Sequence, residues 1–272
     1  MPHSSQQRTA ALPLQGRRAL VGGSSRGIGL GCAVALAEAG ANVTVMGRHA
    51  DTLSEARSSL PQPLDQPHGA ITVDFSDWEA VSAAAEADVS DSGPIQILIN
   101  NTGGPGPGPL NEADARMLID GFEMHILCNQ ALVHATKNGM IEARYGRIIN
   151  IISTSVVIPI PNLGVSNTIR GAVAQWGRTL AAELAPHGIT VNNVLPGSID
   201  TSRLRTTMGR MAERSGKSIS QLEQATLDAI PAGRLGYPSD IGAVVAFLAS
   251  PEAAYVTGVN LPVDGGRIAA QR

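Results

Sequence analysis

A glycine-rich turn is the segment whose residue types and spacing most clearly indicate chemistry. Residues 19–29 read ALVGGSSRGIG, an apolar run followed by a turn and by the start of an Ala-rich stretch. Glycine lets the backbone approach a ligand closely, and a helix N-terminus presents unpaired N–H groups and the positive end of a dipole. The turn therefore predicts a pyrophosphate site. The residues expected to line it are Gly23, Ser25, Arg26, Gly27, Ile28 and Gly29.

Alternating strand and helix patterns would position this turn. Short β-branched runs predict strands at 18–21, 42–46, 69–73, 95–99, 147–152, 189–194 and 259–263. Ala-rich segments predict helices at 28–39, 78–87, 112–135, 170–185 and 238–249. Several strands are almost continuously apolar, as in a parallel sheet that is covered on both faces. The alternation predicts a single α/β domain, doubly wound and Rossmann-type, with a mainly parallel seven-stranded sheet and ligands at the carboxyl ends of its strands.

Composition narrows the class of protein. The 272 residues are 43% hydrophobic and 16% charged, which argues against a disordered chain. The net charge of −3 argues against a nucleic-acid partner, and no apolar run reaches the length of a membrane span. Cys32 and Cys128 are the only cysteines, which favours a reducing compartment. Residues 1–14 lack the apolar centre of a signal peptide, so we expect an N-terminal tail, a domain at 15–272 and a cytoplasmic location.

The glycine turn and four later motifs resemble the short-chain dehydrogenase/reductase family, and the resemblance runs from about Leu14 to Gly266. The turn is similar to the family's TGxxxGIG, with Gly22 in place of Thr. The later motifs follow in the family's order: VDFSD at 73–77, NNTG at 100–103, PGSIDT at 196–201 and VDGG at 263–266. The nearest likeness is to the 3-oxoacyl-acyl-carrier-protein reductase branch.

The resemblance implies further contacts to a nicotinamide dinucleotide. They are Asp74 at the adenine, Asn100 after the fourth strand, and Pro196, Gly197, Ile199 and Thr201 beneath the nicotinamide. The choice of cofactor depends on the end of the second strand, where an NAD site would place an acidic residue on the ribose 2′-OH. Gly47 and Arg48 stand there instead, and Arg26 is available nearby. We therefore expect NADP(H) rather than NAD(H), with both guanidinium groups facing the 2′-phosphate.

The resemblance also implies where the reaction takes place. Family members work through Ser, Tyr and Lys, with an Asn on the preceding helix. By spacing, these positions are occupied here by Ser153, Ser166, Arg170 and His125, so three of the four differ. A serine hydroxyl lacks the acidity of tyrosine, and arginine does not release its proton.

Each replacement has a functional and a structural interpretation. His125 is either a general acid that titrates near neutral pH or a residue of helix packing. Ser166 and Arg170 either contact the cofactor or substrate, or simply begin a helix. Ser153, at the end of a strand, is placed for substrate contact. The chain is then an NADP(H)-dependent oxidoreductase on a carbonyl/hydroxyl substrate with a modified site, or a catalytically silent nucleotide-binding protein that acts as a redox sensor or non-catalytic subunit.

Partners follow from two further segments. Residues 202–230, a lid in the family, are basic in their first half, through Arg203, Arg205, Arg210, Arg214 and Lys217. They indicate either an anionic or carrier-bound small-molecule substrate or a solvated helix face. The loop PGPGP at 105–109 is either a substrate contact or a rigid turn. The resemblance implies a homodimer or homotetramer through helices 112–135 and 170–185, and no metal site is expected.

Overall fold

A seven-stranded parallel sheet runs through the part of the chain that this computed structural model describes, residues 11–270. Its strands lie in the order β3-β2-β1-β4-β5-β6-β7, and every neighbouring pair is parallel. The strands are β1 Arg18–Gly22, β2 Asn42–Gly47, β3 Gly69–Thr72, β4 Ile97–Asn100, β5 Gly146–Ile151, β6 Ile189–Pro196 and β7 Asn260–Val263. The strand order reverses between β1 and β4, so a ligand crevice is expected at the carboxyl ends of these two strands.

Helices cover both faces of the sheet. They are α1 Gly27–Glu38, α2 Ala50–Ser58, α3 Trp78–Ser92, α4 Ala115–Phe122, α5 Cys128–Glu142, α6 Gly164–Leu184, α7 Ser202–Ser215, α8 Ile219–Asp228, α9 Pro238–Ala249 and the short α10 Arg267–Ala270. On one face α1 and α9 pack together and share a core with β1 and β2. On the other face α3 and α5 pack together, and α6 completes the second core.

Local hydrogen bonds explain where several helices begin. The carboxylate of Asp77 accepts a hydrogen bond from Ala80 N at 2.9 Å at the start of α3. Asp114 accepts one from Met117 N at 2.8 Å at the start of α4. Ser218 begins α8 with a reciprocal capping box. These short polar side chains satisfy N–H groups that a first helical turn leaves free.

A row of four asparagines runs across strands β4 to β7, from the last residue of β4 to the first residue of β7. Asn100 Nδ2 donates to Asn150 Oδ1, Asn150 Nδ2 to Asn193 Oδ1 and Asn193 Nδ2 to Asn260 Oδ1, each at 2.8 Å. Each donor and acceptor pair is also in register in the sheet. Helix α6 lies directly on this amide ladder, because a Cβ at Gly177 would be 2.8 Å from the Asn150 and Asn193 side chains. The ladder therefore sets the height of α6 above the sheet.

The structure confirms the predicted fold class and corrects several boundaries. Each predicted strand lies within two residues of the observed one, and helix 238–249 matches α9. The predicted helix 112–135 is instead α4, a π-helical segment at Glu123–Leu127 and α5, which continues to Glu142. The predicted helix 170–185 begins six residues earlier, at Gly164. Helices α2 and α10 are additional to the predicted ones, and α7 and α8 lie in residues 202–230, where a helix face was one of the two interpretations.

The N-terminal segment joins the domain before β1. Ten of the fourteen residues of the expected tail lie outside the described residues. Leu14, the last of the fourteen, is fully buried in the core beside α1, and its N–H donates to Ala39 O at 2.9 Å. Among the described helices, none is both long enough and apolar enough to cross a membrane.

Candidate functional site

The glycine turn between β1 and α1 is built from close backbone contacts. Gly23 and Gly27 have positive φ angles of 55° and 60°, which favour glycine. A Cβ at Gly29 would collide with the carbonyl oxygen of Gly23. Asn101, which follows β4, donates from Nδ2 to the carbonyls of Gly22 at 3.0 Å and Gly23 at 3.2 Å. The turn is thus tied to the neighbouring strand as well as to its own helix.

The first turn of α1 is open to an anion. Arg26 stands at the N-cap, its side chain makes no capping hydrogen bond, and the first turn contains no acidic residue. Free N–H groups at a helix N-terminus, next to glycines that leave room for phosphate oxygens, fit a dinucleotide pyrophosphate. Ser25 and Ile28 are half-buried in this turn. The structure therefore brings the predicted phosphate residues together.

The segment after β6 closes the other side of the turn. Gly197 N donates to Val263 O at 3.0 Å, and a Cβ at Gly197 would be 2.7 Å from the Asp264 side chain. Pro196 ends β6, and Ile199 is 5% exposed in the core. Thr201 caps α7, and its Cγ2 would be 3.4 Å from a Cβ at Gly27. The predicted nicotinamide segment thus lies against the glycine turn.

The expected 2′-phosphate contacts lie just beyond β2. Gly47 is the last residue of that strand, and Arg48 is exposed after it, with Nε donating to His49 Nε2 at 3.1 Å. Asp74 is exposed, and its pKa is lowered by the hydrogen bond from Ser76 N, with smaller contributions from the positive charge of Arg48 and His49. The charge of Arg48 therefore acts on Asp74, the expected adenine contact.

Asn100 lies in the amide ladder. It is 3% exposed, its Nδ2 donates to Asn150, and its Oδ1 has no partner among the described residues. Asn101 supports the turn instead. The NNTG motif contains both Asn100 and Asn101. Only their contacts in the folded chain show that one belongs to the ladder and the other to the turn.

Ser153, Ser166 and Arg170 stand near the end of β5. Ser153 is half-buried, and its Oγ accepts a hydrogen bond from Ser155 N at 3.1 Å at the start of a short 3-10 turn. Ser166 and Arg170 are one helical turn apart on the buried face of α6, each 8% exposed. The loop 105–109 is fixed beside them, because Gly108 N donates to Asn162 O at 2.8 Å.

Arg170 is a buried cation. Its Nη1 donates to Ile151 O at 2.6 Å at the end of β5. Burial lowers the pKa of Arg170 to about 10, and the positive charge of Arg203 contributes. The guanidinium still carries its proton at neutral pH. Within residues 11–270, no acidic side chain forms an ion pair with Arg170 or Arg203.

His125 lies in the π-helical segment between α4 and α5. Such segments are frequent at functional sites. The residue is 2% exposed, and its Nε2 has no hydrogen-bond partner in the described part of the chain. Burial, and then the charges of Arg170 and Arg203, hold its pKa well below 6.5. The low pKa therefore disfavours the interpretation of His125 as a general acid that titrates near neutral pH and favours the interpretation as a residue of helix packing.

Arg203 is the site residue that sequence reasoning missed. A Cβ at Gly104, in the loop after β4, would lie 2.6 Å from Arg203 Nη2 and 3.3 Å from Arg170 Nη2. The sequence shows Arg203 only as one of several basic residues in the segment 202–230. Arg203 and Arg205 are both exposed on α7. They differ in what their guanidinium groups reach, since Arg205 donates to Asp200 at 2.9 Å and Arg203 extends to the loop at Gly104.

The fold and the open glycine turn are typical of dinucleotide-binding proteins of the doubly wound α/β class. The chain belongs to the short-chain dehydrogenase/reductase family, and a family model described as enoyl-(acyl carrier protein) reductase matches residues 23–267. The expected family resemblance is confirmed.

Individual relatives support the same class. The 3-oxoacyl-[acyl-carrier-protein] reductase FabG of Vibrio cholerae is 36% identical over 255 residues, covering 93% of this chain and 98% of the relative. The NADPH-dependent reductase BacG of Bacillus subtilis is 28% identical, covering 92% and 97%. The crystal structure of L-sorbose reductase from Gluconobacter frateurii, complexed with NADPH and L-sorbose, has a TM-score of 0.89 at 29% identity, covering 95% and 98%. This chain is thus a short-chain oxidoreductase that uses a nicotinamide cofactor.

Proposed function

We propose that this protein is an NADP(H)-dependent oxidoreductase that interconverts a carbonyl and a hydroxyl group in a modified active site. The observation that carries the choice of NADP(H) is the end of β2, where Gly47 leaves no carboxylate for a ribose 2′-OH and Arg48 is exposed. Arg26 lies in the glycine turn that follows β1, the strand next to β2. Gly22 at the end of β1 pairs with Met46 of β2. Two guanidinium groups beside one crevice favour a 2′-phosphate.

A nicotinamide cofactor held at the glycine turn would supply or accept the hydride. This chain's residues orient the reactants and stabilise charge. Ser153 and Ser166 offer hydroxyl donors to the reacting oxygen, at the positions where the family has Ser and Tyr. The buried guanidinium of Arg170 is a fixed positive charge beside these positions, and it favours negative substrate groups in the site. A proton from solvent then completes the hydroxyl group.

The preference for NADP(H) is tested by fluorescence titration with NADPH and NADH. Wild type is expected to bind NADPH more tightly. Arg48→Asp removes the cation and supplies a carboxylate for the 2′-OH, so NADPH is expected to bind about tenfold to a hundredfold more weakly, as for loss of a charged hydrogen bond. Arg57→Asp, exposed on α2, is the matched control and leaves both affinities unchanged. Tighter NADH binding by the wild type contradicts the proposal.

One observation favours the second candidate, a silent nucleotide-binding protein. None of the four reaction positions offers an acid that titrates near neutral pH, because His125 is held neutral and Arg170 stays charged. A panel of carbonyl compounds with NADPH, followed by the absorbance of the cofactor, separates the two candidates. Turnover of any member supports the enzyme. Tight NADPH binding with no oxidation across neutral and acidic carbonyls supports the silent protein.

We further propose a homodimer or homotetramer in the cytoplasm that works on a small molecule, with neither nucleic acid nor membrane as a partner. Two free, buried thiols, Cys32 and Cys128, fit a reducing compartment. Exposed apolar residues on α4, among them Ile119 and Phe122, supply surface for subunit contact. Light scattering is expected to give twice or four times the monomer mass, and a monomer mass at micromolar concentration contradicts the oligomer.

A further inference from the structure

Two positive side chains converge on one point in the active site. A single Cβ position at Gly104 lies 2.6 Å from Nη2 of Arg203 and 3.3 Å from Nη2 of Arg170. The two residues come from different elements, α7 and α6. Neither forms an ion pair with an acidic side chain in the described residues. Their charges therefore face one another without a counter-charge from the protein.

Such a pair is costly unless something compensates it. Like charges repel, and the repulsion is stronger in a partly buried site than in water. Arg170 uses Nη1 on the Ile151 carbonyl, which holds the guanidinium in place. Its Nη2 is the group turned towards Gly104. Glycine at 104 leaves open the space that a side chain would fill between the two cations.

A third group belongs to the same environment. His125 is buried, its Nε2 has no partner among the described residues, and both arginines act on its charge. A neutral imidazole with hydrogen on Nε2 is a donor that burial has left unused. An unpaired buried polar atom is costly, so this donor also calls for an acceptor.

We propose that Arg170, Arg203 and His125 form a carboxylate-binding site, and that the substrate is an oxo or hydroxy acid. This inference rests on the proposed function and names the substrate class for the same site. A carboxylate accepts the forked hydrogen bonds of guanidinium groups in its own plane. Ser153 and Ser166 stand at the positions that face the reacting oxygen, so the carboxylate is held close to the carbonyl or hydroxyl carbon.

The other source of an anion is the cofactor itself. Its pyrophosphate already has the glycine turn and the open first turn of α1. The experiment must still separate a substrate carboxylate from a cofactor phosphate. Oxamate serves as the probe because it carries a carboxylate next to a carbonyl and does not react, and oxamide is its neutral analogue.

The test is calorimetric titration of oxamate and of oxamide into free protein and into protein saturated with NADP⁺. Oxamate is expected to bind in both cases and oxamide in neither. Arg203→Met is expected to weaken oxamate about tenfold to a hundredfold, as for loss of a charged hydrogen bond, and Arg203→Lys to weaken it less. Arg210→Met, exposed on the same helix, is the matched control and leaves oxamate binding unchanged.

Three outcomes overturn the inference. The first is equal binding of oxamate and oxamide, and the second is no effect of Arg203→Met on oxamate binding. The third is loss of oxamate binding on saturation with NADP⁺ together with weaker NADPH binding in Arg203→Met, which assigns the arginines to the cofactor phosphate. Because the free protein is titrated as well, oxamate binding without NADPH binding or turnover would refute the proposed function while supporting the anion site.

Discussion

The two ends of the crevice are built in different ways. At the cofactor end, the turn from Gly22 to Gly29 is shaped by backbone: glycine φ angles, a helix start without a side-chain cap, and carbonyls held by Asn101. At the reaction end, the positions of Ser166, Arg170 and His125 are shaped by side chains on a rigid helical frame. From the family resemblance of the sequence, we expect the first end to keep the family's residue types and the second end to depart from them.

The difference shows which part of the site tolerates replacement. A Cβ at Gly29 collides with backbone, so the turn cannot change without moving β1 or α1. Arg170, at the position where the resemblance implies a lysine, lies on α6, which rests on the amide ladder beneath Gly177 and not on the Arg170 side chain. Cofactor binding and reaction chemistry can therefore be changed separately in this protein.

The largest expected effect comes from restoring the family's residues at the reaction end. Ser166→Tyr, Arg170→Lys and His125→Asn together are expected to raise turnover of neutral ketones with NADPH by about 10²–10⁴-fold, the usual range for positioned acid catalysis. The gain is non-additive, because a tyrosine without its lysine keeps an unfavourable pKa. The measurement is kcat for the single, double and triple variants. Wild-type turnover already equal to the triple variant, and unaffected by His125→Asn, would refute this prediction.

A smaller effect is expected when a methyl group is added to the glycine turn at the cofactor end. Gly29→Ala places a methyl group against the Gly23 carbonyl, and such overpacking costs about 1–3 kcal/mol. The Kd for NADPH is expected to rise roughly tenfold to a hundredfold, measured by fluorescence titration. Gly171→Ala in α6 is the control, since a Cβ there meets nothing within 4 Å. Unchanged NADPH affinity in Gly29→Ala would show that the turn does not hold the cofactor.

The smallest effect concerns the pH dependence of stability. The folded state holds the pKa of His125 well below 6.5, so below that pH the unfolded chain binds a proton that the folded chain does not. Stability is therefore lost as pH falls through 6.5, by at most about 1.4 kcal/mol per pH unit. His125→Asn removes this contribution. Urea midpoints of both proteins at a series of pH values test it, and parallel curves for wild type and variant contradict it.

The sequence predicts the sheet better than the helices. Strand positions followed from β-branched runs, which the parallel sheet buries on both faces. The predicted range 170–185 begins too late because Gly164, Val165 and the polar residues at 166–168 are weak helix formers. In the structure Gly164 packs tightly on the backbone of Leu110, so tertiary contact overrides propensity. Gly139 likewise lies inside α5, where a Cβ would be 2.5 Å from Pro94.

The site shows the same division. The glycine turn was predictable because its conformation requires glycine, and a required residue type is visible in a sequence. The contact of Arg203 with Gly104 was not predictable, because the sequence does not show which arginine of a basic helix reaches a neighbouring loop. The low pKa of His125 was also invisible, since it comes from burial in the folded chain.

The amide ladder has one more consequence, which concerns the direction of its dipoles. In all three links the NH₂ group belongs to the strand nearer β4 and the oxygen to the strand nearer β7. The side-chain dipoles of Asn100, Asn150 and Asn193 therefore add, and Oδ1 of Asn100 is the negative end of the row. Rotating one of these amides by half a turn would set two like groups against each other, so the links must reverse together or not at all. The negative end of this row therefore lies at the carboxyl end of β4, and its orientation is a collective property of four strands.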